Sequence, residues 1–279
     1  MAAAEGRTKF VRAVSASLTE ACLVAGLKQD DLSFAAACLG FSGGAADKDA
    51  YSRELIRSAK YKITHDAEIA LAGATGGEPG MIVIAGTGSI VFGKNEDDRT
   101  ARAGGWGYIF GDEGGAFDLT RRALRAALQF EEGWGPETML LASLLRATGA
   151  TSANHLLHRF YADLARTEIA ALAPLVSEAA EQRDAVAIEI LETAAARLIW
   201  YVEGLYHNLF GERDIVPVAF VGGVFRSRIL LREFERGIGK SIECPVIPPK
   251  LSPAAGAVLE ALRMDGNGST LSAMPKSEK

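Results

Sequence analysis

The chain has 279 residues, 48% of them hydrophobic, which is enough apolar surface for one large domain or two modest ones. Its 30 Lys and Arg residues against 35 Asp and Glu residues give a net charge of −5 at pH 7. A small disulfide-stapled protein and a disordered chain are excluded by this size and composition. A nucleic-acid-binding surface needs a surplus of basic residues to neutralise phosphates, so we expect no nucleic-acid partner.

The number of cysteines and the hydropathy pattern indicate where in the cell the protein is located. Cys22, Cys38 and Cys244 lie too far apart for a CxxC pair, and their odd number favours a reducing compartment over a disulfide framework. No apolar run approaches the ~20 residues that cross a bilayer, and residues 1–10 carry charges where a signal peptide is apolar. We therefore expect a cytoplasmic protein with no membrane partner.

The first 75 residues alternate between helical and strand patterns. The predicted elements are a helix over 7–27, a strand over 32–41, a helix over 47–59, a strand over 61–64 and a helix over 67–74. The run over 32–41 is almost continuously apolar and is closed by Ser42, Gly43 and Gly44, so we expect a strand buried on both faces. The alternation favours an α/β lobe with parallel strands.

The next part of the chain begins with a hairpin pattern. Residues 81–94 place two apolar strands around a glycine turn, and residues 103–115 are too rich in glycine for a regular element. Residues 117–210 show the periodicity of several amphipathic helices. The remaining predictions are a strand over 216–221, a helix over 225–237, a strand over 242–247, a helix over 252–264 with Pro253 in its first turn, and a mobile tail over 265–279.

Two glycine turns follow predicted strands. Residues 86–89 (GTGS) expose backbone N–H groups beside two hydroxyls, an arrangement that cradles phosphates, although a plain hairpin would explain the glycines equally well. Gly222 and Gly223 form a second turn before a predicted helix. The first turn has neither the pattern of a Walker A loop nor that of a dinucleotide-binding GxGxxG helix start. Two such turns in separate halves of the chain favour a nucleotide site.

Three side chains are candidates for chemistry or substrate contact. Asp66 lies at the C-terminal end of a predicted parallel strand, where it could accept a proton during phosphoryl transfer or cap the following helix. Asp112 lies between glycines before a helix, and a capping role is again the alternative. Trp106 is flanked by glycines and could offer its ring to a sugar.

The helical stretch also contains a pair of histidines and a group of three arginines. His155 and His158 are three residues apart, but no Cys or acidic third ligand is near, so we expect no metal site of protein ligands. Arg121, Arg122 and Arg125 form a positive helix face that we interpret as solvated charge.

Five motifs in this order resemble a known family: 64–67 (THDA), 86–89 (GTGS), 104–107 (GGWG), 111–114 (GDEG) and 221–227 (VGGVFRS). Over about 32–264 the chain is similar to the BadF/BadG/BcrA/BcrD ATPase family, and within it to the N-acetylglucosamine kinases. The resemblance implies an α/β fold of the actin-like ATPase (ribonuclease H-like) type, with two lobes and ATP in the cleft. It also implies Mg²⁺-dependent transfer of the ATP γ-phosphoryl group to a hydroxyl of an amino sugar or hexose, and it leaves a homodimer open.

The resemblance also implies site residues. Asp66 matches the catalytic aspartate, which takes the proton of the sugar hydroxyl. The positions matching ATP contacts are Gly86, Thr87, Gly88, Gly222, Gly223 and Ser227, and those matching sugar contacts are Ser89, Ile90, Gly105, Trp106, Gly107 and Asp112. Ile90 stands where those kinases have an asparagine, which puts the exact sugar in doubt.

A second departure concerns the start of the chain. The family begins with a strand carrying a DGGGTK-like phosphate loop and, soon after, a sugar-binding asparagine, and this sequence matches neither. We therefore expect this chain to be a family member that is shortened at its N-terminus. We also expect its phosphoryl transfer to be impaired. The expected organisation is an incomplete N-terminal lobe over 1–75 that packs with the helix over 252–264, then a C-terminal lobe over 76–251 with a helical insertion.

Two other functions stay open. A non-catalytic sugar- or nucleotide-binding remnant would account for the unmatched phosphate loop. An ATPase activator of an acyl-CoA dehydratase or reductase would belong to the same family. Those activators hold an iron–sulfur cluster with cysteines, and Cys22, Cys38 and Cys244 do not have a suitable placement.

Overall fold

The computed structural model describes residues 2–29, 32–42 and 46–266. The chain divides into two compact units, unit 1 (Met1–Glu78 with Lys250–Lys279) and unit 2 (Pro79–Pro249). Residues 267–279 of the predicted mobile tail lie outside the described residues, as do Gly43 and Gly44.

Eleven α-helices and seven strands are found in the described residues. The helices are α1 (Ala2–Ala25), α2 (Ala46–Leu55), α3 (Asp66–Thr75), α4 (Ala116–Glu131), α5 (Leu140–Thr148), α6 (Ala153–His158), α7 (Arg166–Ala170), α8 (Pro174–Glu181), α9 (Ala185–Leu209), α10 (Arg228–Ser241) and α11 (Pro253–Asp265). The strands are β1 (Phe34–Phe41), β2 (Ser58–His65), β3 (Gly80–Ala85), β4 (Ser89–Lys94), β5 (Thr100–Gly104), β6 (Val218–Val221) and β7 (Val246–Ile247). A π-helical turn (Arg159–Asp163) and a 3₁₀ turn (Gly223–Arg226) complete the regular structure.

Unit 1 contains a two-stranded parallel sheet. β1 pairs with β2 from Phe34 opposite Ser58 to Phe41 opposite His65, which confirms the predicted parallel strands. The expectation that β1 is buried on both faces is wrong, because its residues are half-buried and Ala35 is exposed. Together with α1 and α11, β1 lines an apolar groove of about 700 Å³.

The boundary between α2 and β2 differs from the prediction. The helix predicted over 47–59 ends at Leu55, and Ser58 already belongs to β2. The Phe34 N–H donates to the Arg57 carbonyl at 2.9 Å, so pairing with β1 draws the chain into the sheet before the helical pattern ends. Tertiary pairing here overrides the local propensity.

Helices α3 and α11 of unit 1 pack so closely that their backbones are in contact. A Cβ added at Gly256 would lie 1.9 Å from the Ile69 carbonyl oxygen, so only glycine allows this approach. The predicted Pro253 start is confirmed, and the Ser252 hydroxyl caps α11 by accepting from the Ala255 N–H at 3.3 Å. On the neighbouring β2, Lys62 donates to Glu260 of α11 at 2.5 Å.

Unit 2 is built on a five-stranded sheet in the order β5-β4-β3-β6-β7. The predicted hairpin is confirmed as the antiparallel pair of β3 and β4, while β6 lies parallel to β3 on the other side. β5, a short strand antiparallel to β4, was not predicted because its alternation ends in glycines. The strand predicted over 242–247 is reduced to the two residues of β7.

The core of unit 2 forms where α9 crosses the sheet. Leu198, Val202 and Leu205 of α9 are fully or almost fully buried. Gly93 of β4 leaves room for Leu205, whose Cδ2 would lie 2.7 Å from an added Cβ. Among the described residues, no helix combines the length and the apolar character needed to cross a membrane.

Candidate functional site

The first glycine turn of unit 2 joins β3 to β4 and is bound by the start of α4. The Ala116 N–H donates to the Gly86 carbonyl at 2.8 Å, and the Phe117 N–H donates to the Thr87 carbonyl at 3.1 Å. Within the described part of the chain, the N–H groups of Thr87 and Gly88 have no hydrogen-bond partner. Free backbone N–H groups in a turn of this kind are what an anion requires.

Asp112 lies directly against this turn. A Cβ added at Gly88 would lie 2.2 Å from Asp112 Oδ2, so glycine is needed for the carboxylate to lie there. Asp112 is only 7% exposed and adopts φ = 63°, a conformation that is strained for a residue with a side chain. The capping alternative for Asp112 is wrong, because the N-cap position of α4 is occupied by Gly115, with no side-chain cap bond.

Glu113 connects the turn to the core of unit 2. The Ser89 hydroxyl donates to the Glu113 carbonyl at 2.6 Å, and the Tyr201 hydroxyl of α9 donates to the Glu113 carboxylate. Burial and this acceptor carboxylate raise the pKa of Tyr201. Ser89 is only 3% exposed, and its hydroxyl is already hydrogen-bonded within the protein.

Asp118 of α4 fixes the other end of this loop. Its carboxylate accepts from the Gly114 N–H at 3.1 Å, from Arg121 at 2.6 Å and from Arg122 at 2.9 Å. Burial alone would raise the pKa of Asp118, but these donors outweigh it and hold the pKa below its ordinary value. The interpretation of Arg121 and Arg122 as merely solvated charge is wrong. Their i+3 and i+4 spacing from Asp118 was the signal that could have found this network.

The glycine-rich loop after β5 carries Trp106. The Gly105 N–H donates to the Ser89 carbonyl at 3.0 Å, and the Ile90 side chain would lie 2.8 Å from a Cβ added at Gly105. Trp106 is 66% exposed, and the Arg102 guanidinium lies 4.7 Å from its ring centroid. Arg102 therefore occupies one face of the ring and leaves the rest of the indole in solvent.

The second glycine turn follows β6 and is pressed against the first. Gly222 has φ = 120°, and an added Cβ would lie 2.2 Å from the Ala85 carbonyl oxygen at the end of β3. The helix predicted over 225–237 is a 3₁₀ turn followed by α10, because the Ser227 hydroxyl caps α10 by accepting from the Leu230 N–H at 3.5 Å.

A cavity of about 370 Å³ opens beside this second turn. Gly223 and Ser227 lie in its wall, which is otherwise mostly apolar, and Ser177, Glu178 and Glu181 of α8 bring polar groups to it. The full lining is Ala116, Leu119, Ala170, Ala171, Ala173, Pro174, Ser177, Glu178, Glu181, Gly223, Val224, Arg226 and Ser227.

Asp66 belongs to unit 1, where it is the first residue of α3. Its Oδ1 accepts from the Ala67 N–H at 2.9 Å and its Oδ2 accepts from the Ser42 hydroxyl at 2.6 Å. The capping alternative for Asp66 is wrong, because the residue in the N-cap position is His65, which makes no side-chain cap bond. The bond from the adjacent Ala67 N–H is not an N-cap bond, which would come from the second or third N–H of the helix. The carboxylate is solvent-exposed.

A family model for the BadF/BadG/BcrA/BcrD ATPases matches residues 2–261. The chain belongs to this family. It is 35% identical over 81% of its length to an N-acetylmuramic acid/N-acetylglucosamine kinase of Clostridium acetobutylicum, 76% of which is covered. It is 30% identical, also over 81%, to an N-acetyl-D-glucosamine kinase of Dictyostelium discoideum, 74% of which is covered.

The fold of this BadF/BadG/BcrA/BcrD ATPase also has a solved counterpart. A crystal structure from Chromobacterium violaceum, whose assignment as an N-acetylglucosamine kinase is provisional, matches with a TM-score of 0.75 at 28% identity. The match covers 92% of this chain and 86% of the other. The predicted fold class, α/β of the actin-like ATPase type, is confirmed.

The sequence-predicted residues fall into two groups in this family member. Unit 2 brings together the turn 86–89, Ile90, Gly105, Asp112 and Gly222, through the contacts given above. Trp106 and Gly107 extend from this cluster in their loop, and Gly223 and Ser227 lie at the cavity. Asp66 is held in unit 1. The part of the cavity wall from α7 and α8 was missed, because its alanines and Pro174 carry no motif.

The described residues of this ATPase family member include histidines, acidic side chains and three cysteines that could in principle bind metals. In that part of the chain, no three His, Cys, Asp or Glu side chains are grouped so that they could hold a metal ion. Cys22 and Cys244 are buried and Cys38 is half-buried, all as free thiols. Burial raises the pKa of the Cys38 thiol to about 12.

Proposed function

We propose that this protein transfers the γ-phosphoryl group of ATP to a hydroxyl of an amino sugar of the N-acetylglucosamine type. Family membership supports the use of ATP, and two curated relatives at 30% identity or more bear the names of sugar kinases. The observation that carries the proposal is the interlocked pair of glycine turns, with Gly222 against Ala85 and Gly88 against Asp112.

The nucleotide part of the proposal rests on the cavity and the first turn. A volume of about 370 Å³ with mostly apolar walls suits the adenosine of ATP, since small-molecule sites begin at ~300 Å³. We assign the adenosine side to Gly222, Gly223 and Ser227. The free N–H groups of Thr87 and Gly88, next to Gly86, would bind phosphate oxygens.

The sugar part rests on the loop around Trp106. We propose that Gly105, Trp106 and Gly107 contact the sugar and that the Asp112 carboxylate accepts from its hydroxyls. Ser89 contributes by holding Glu113 in place. Ile90 packs against Gly105 and brings no hydrogen-bonding group, so we expect looser selection among amino sugars and glucose than an asparagine would give.

Asp66 is the proposed general base. Its exposed carboxylate would accept the proton of the attacking sugar hydroxyl, the sugar oxygen would form the new bond to the γ-phosphorus, and ADP would leave. Mg²⁺ would neutralise the phosphate charge during transfer. Mg²⁺ typically binds through substrate phosphates with one or two carboxylates, so we expect the ATP phosphates to supply most of its ligands.

Units 1 and 2 would be the two predicted lobes, and the reaction would take place in the cytoplasm, where ATP is available. A homodimer stays a prediction. The alternative of an iron–sulfur-dependent activator is disfavoured, because clusters are held by cysteines and, of the three free cysteines here, Cys22 and Cys244 are buried and Cys38 is half-buried.

The proposal is tested with Asp66→Asn in a coupled assay of ADP release with N-acetylglucosamine, glucosamine and glucose. We expect kcat to fall by ~10²-fold or more while the Kd for ATP is unchanged, because loss of a base acts on the transition state. Asp49→Asn, in α2 of the same unit and paired with Arg53, is the matched control and should keep normal turnover. Normal turnover by Asp66→Asn would refute the assignment of the base. Release of ADP with none of the three sugars would refute the proposal that this chain catalyses the transfer and would favour the non-catalytic sugar- or nucleotide-binding protein.

A further inference from the structure

The candidate base is held by a residue that no motif singles out. Ser42 follows β1 and Asp66 follows β2, and the register places Phe41 opposite His65, so the two residues come from adjacent strand ends. The Ser42 hydroxyl donates to Asp66 Oδ2 at 2.6 Å, and the Ala67 N–H donates to Oδ1 at 2.9 Å. Each carboxylate oxygen therefore accepts from one donor and keeps a lone pair for another.

Ser42 is itself held in place by its neighbours. Lys48 of α2 donates its ammonium group to the Ser42 carbonyl oxygen, and the same ammonium lies 5.6 Å from the centroid of the Phe41 ring. Phe41 packs edge-on against Phe10 of α1 at 4.9 Å between ring centroids. The end of β1 is thus fastened to two helices, and the hydroxyl of Ser42 is presented to Asp66 from a fixed backbone.

We propose that Ser42 is a positioning residue for the reaction, which orients the Asp66 carboxylate for proton transfer. The inference rests on the proposed role of Asp66 as the base. Asp66 is exposed, so its side chain would otherwise move among several rotamers, and a base must be held within hydrogen-bond reach of the proton it accepts. The Ala67 N–H alone fixes one oxygen, and the bond from Ser42 fixes the plane of the carboxylate.

Positioning differs measurably from the two other roles open to Ser42. A serine that bound the sugar directly would raise KM for the sugar when removed, whereas a purely structural serine would change the melting temperature. A serine that acts through Asp66 lowers kcat alone, and it has nothing left to position once Asp66 has lost its charge.

The experiment compares Ser42→Ala, Ser42→Thr and Ser58→Ala in the full chain. We expect Ser42→Ala to lower kcat roughly tenfold with both KM values within about twofold, since misplacing a catalytic group costs rate rather than binding. Ser42→Thr keeps the hydroxyl and should restore kcat to within about threefold. Ser58 lies at the opposite end of β2, where its hydroxyl donates to the Phe34 carbonyl, so Ser58→Ala is the matched control with normal kcat.

The double variant Ser42→Ala/Asp66→Asn separates this inference from the proposed function. We expect it to turn over as slowly as Asp66→Asn alone. An additional tenfold loss in the double variant, an unchanged kcat in Ser42→Ala, or an increase confined to the sugar KM would each overturn the positioning role. If instead Asp66→Asn is itself fully active, the base assignment fails and the inference falls with it.

Discussion

The two groups of candidate site residues are built in opposite ways. In unit 2, the Asp112 carboxylate fills the space beside Gly88 and the backbone of Ala85 fills the space beside Gly222, and Asp112 is buried in a strained conformation. In unit 1, Asp66 is exposed and is held by one side-chain hydroxyl and one N–H group. The glycine turns of unit 2 are therefore part of the packed fold, whereas the proposed base lies exposed at the end of a strand.

From this difference we expect substitutions in the two units to affect different properties, namely stability in unit 2 and catalytic rate in unit 1. A substitution in the glycine turns of unit 2 should mainly reduce the free energy of unfolding and have a smaller effect on kcat. The reason is that these turns are packed against each other and against α4. A change at Asp66 or Ser42 should reduce the rate and leave the fold intact, because these side chains are exposed.

The largest effect on stability is expected at Gly222. Gly222→Ala places a Cβ 2.2 Å from the Ala85 carbonyl oxygen in a backbone with φ = 120°, so we expect a loss of ~3 kcal/mol or more in the free energy of unfolding. Gly223→Ala is the matched control for stability, because nothing lies within 4 Å of its added Cβ, and it should cost less than ~1 kcal/mol. Urea unfolding measures both, and equal losses would contradict the packed-turn interpretation.

An intermediate effect with a distinct pH dependence is expected at Asp118. Its pKa is depressed in the folded state, so its ionised form stabilises the fold above the unfolded pKa of ~3.9, and this stabilisation is lost as the pH falls through the lower folded pKa. Asp118→Asn should cost ~2 kcal/mol at pH 7, since hydrogen bonds to a charged acceptor are lost.

The check on Asp118 is to follow urea unfolding of both proteins from pH 7 to pH 3. The difference between wild type and Asp118→Asn should be constant down to about pH 4 and should shrink below it. A difference that stays constant over the whole range would show that the Asp118 charge does not stabilise the Gly114 turn.

The smallest effect is expected at Trp106, an exposed side chain of unit 2 that should behave like those of unit 1. Trp106→Ala should raise KM for the sugar by about two- to tenfold and leave KM for ATP and the melting temperature unchanged, since an aromatic contact is worth ~0.5–1.5 kcal/mol beyond its area. Trp134, also 66% exposed, gives the matched control Trp134→Ala, which should alter neither KM. An equal change in both KM values would remove Trp106 from the sugar site.

Local signals account for much of the fold. The hairpin of β3 and β4 could be predicted because two apolar runs flank a glycine turn, and α11 because Ser252 and Pro253 are start signals that need no partner. The end of α2, the exposure of β1 and the existence of β5 could not, because each depends on which strand lies alongside. Strand pairing is a non-local contact, and its outcome is not encoded in a window of neighbouring residues.

The same distinction applies to the candidate site. The sequence by itself determined the glycine turns, the candidate base Asp66 and the membership of the BadF/BadG/BcrA/BcrD ATPase family, because these depend on residue types at fixed short spacings. Only the tertiary structure decided that Gly222 touches Ala85, that α8 contributes a wall of the cavity and that Ser42 holds Asp66. These contacts join residues 24 or more positions apart, and their distances are set by how strands and helices pack.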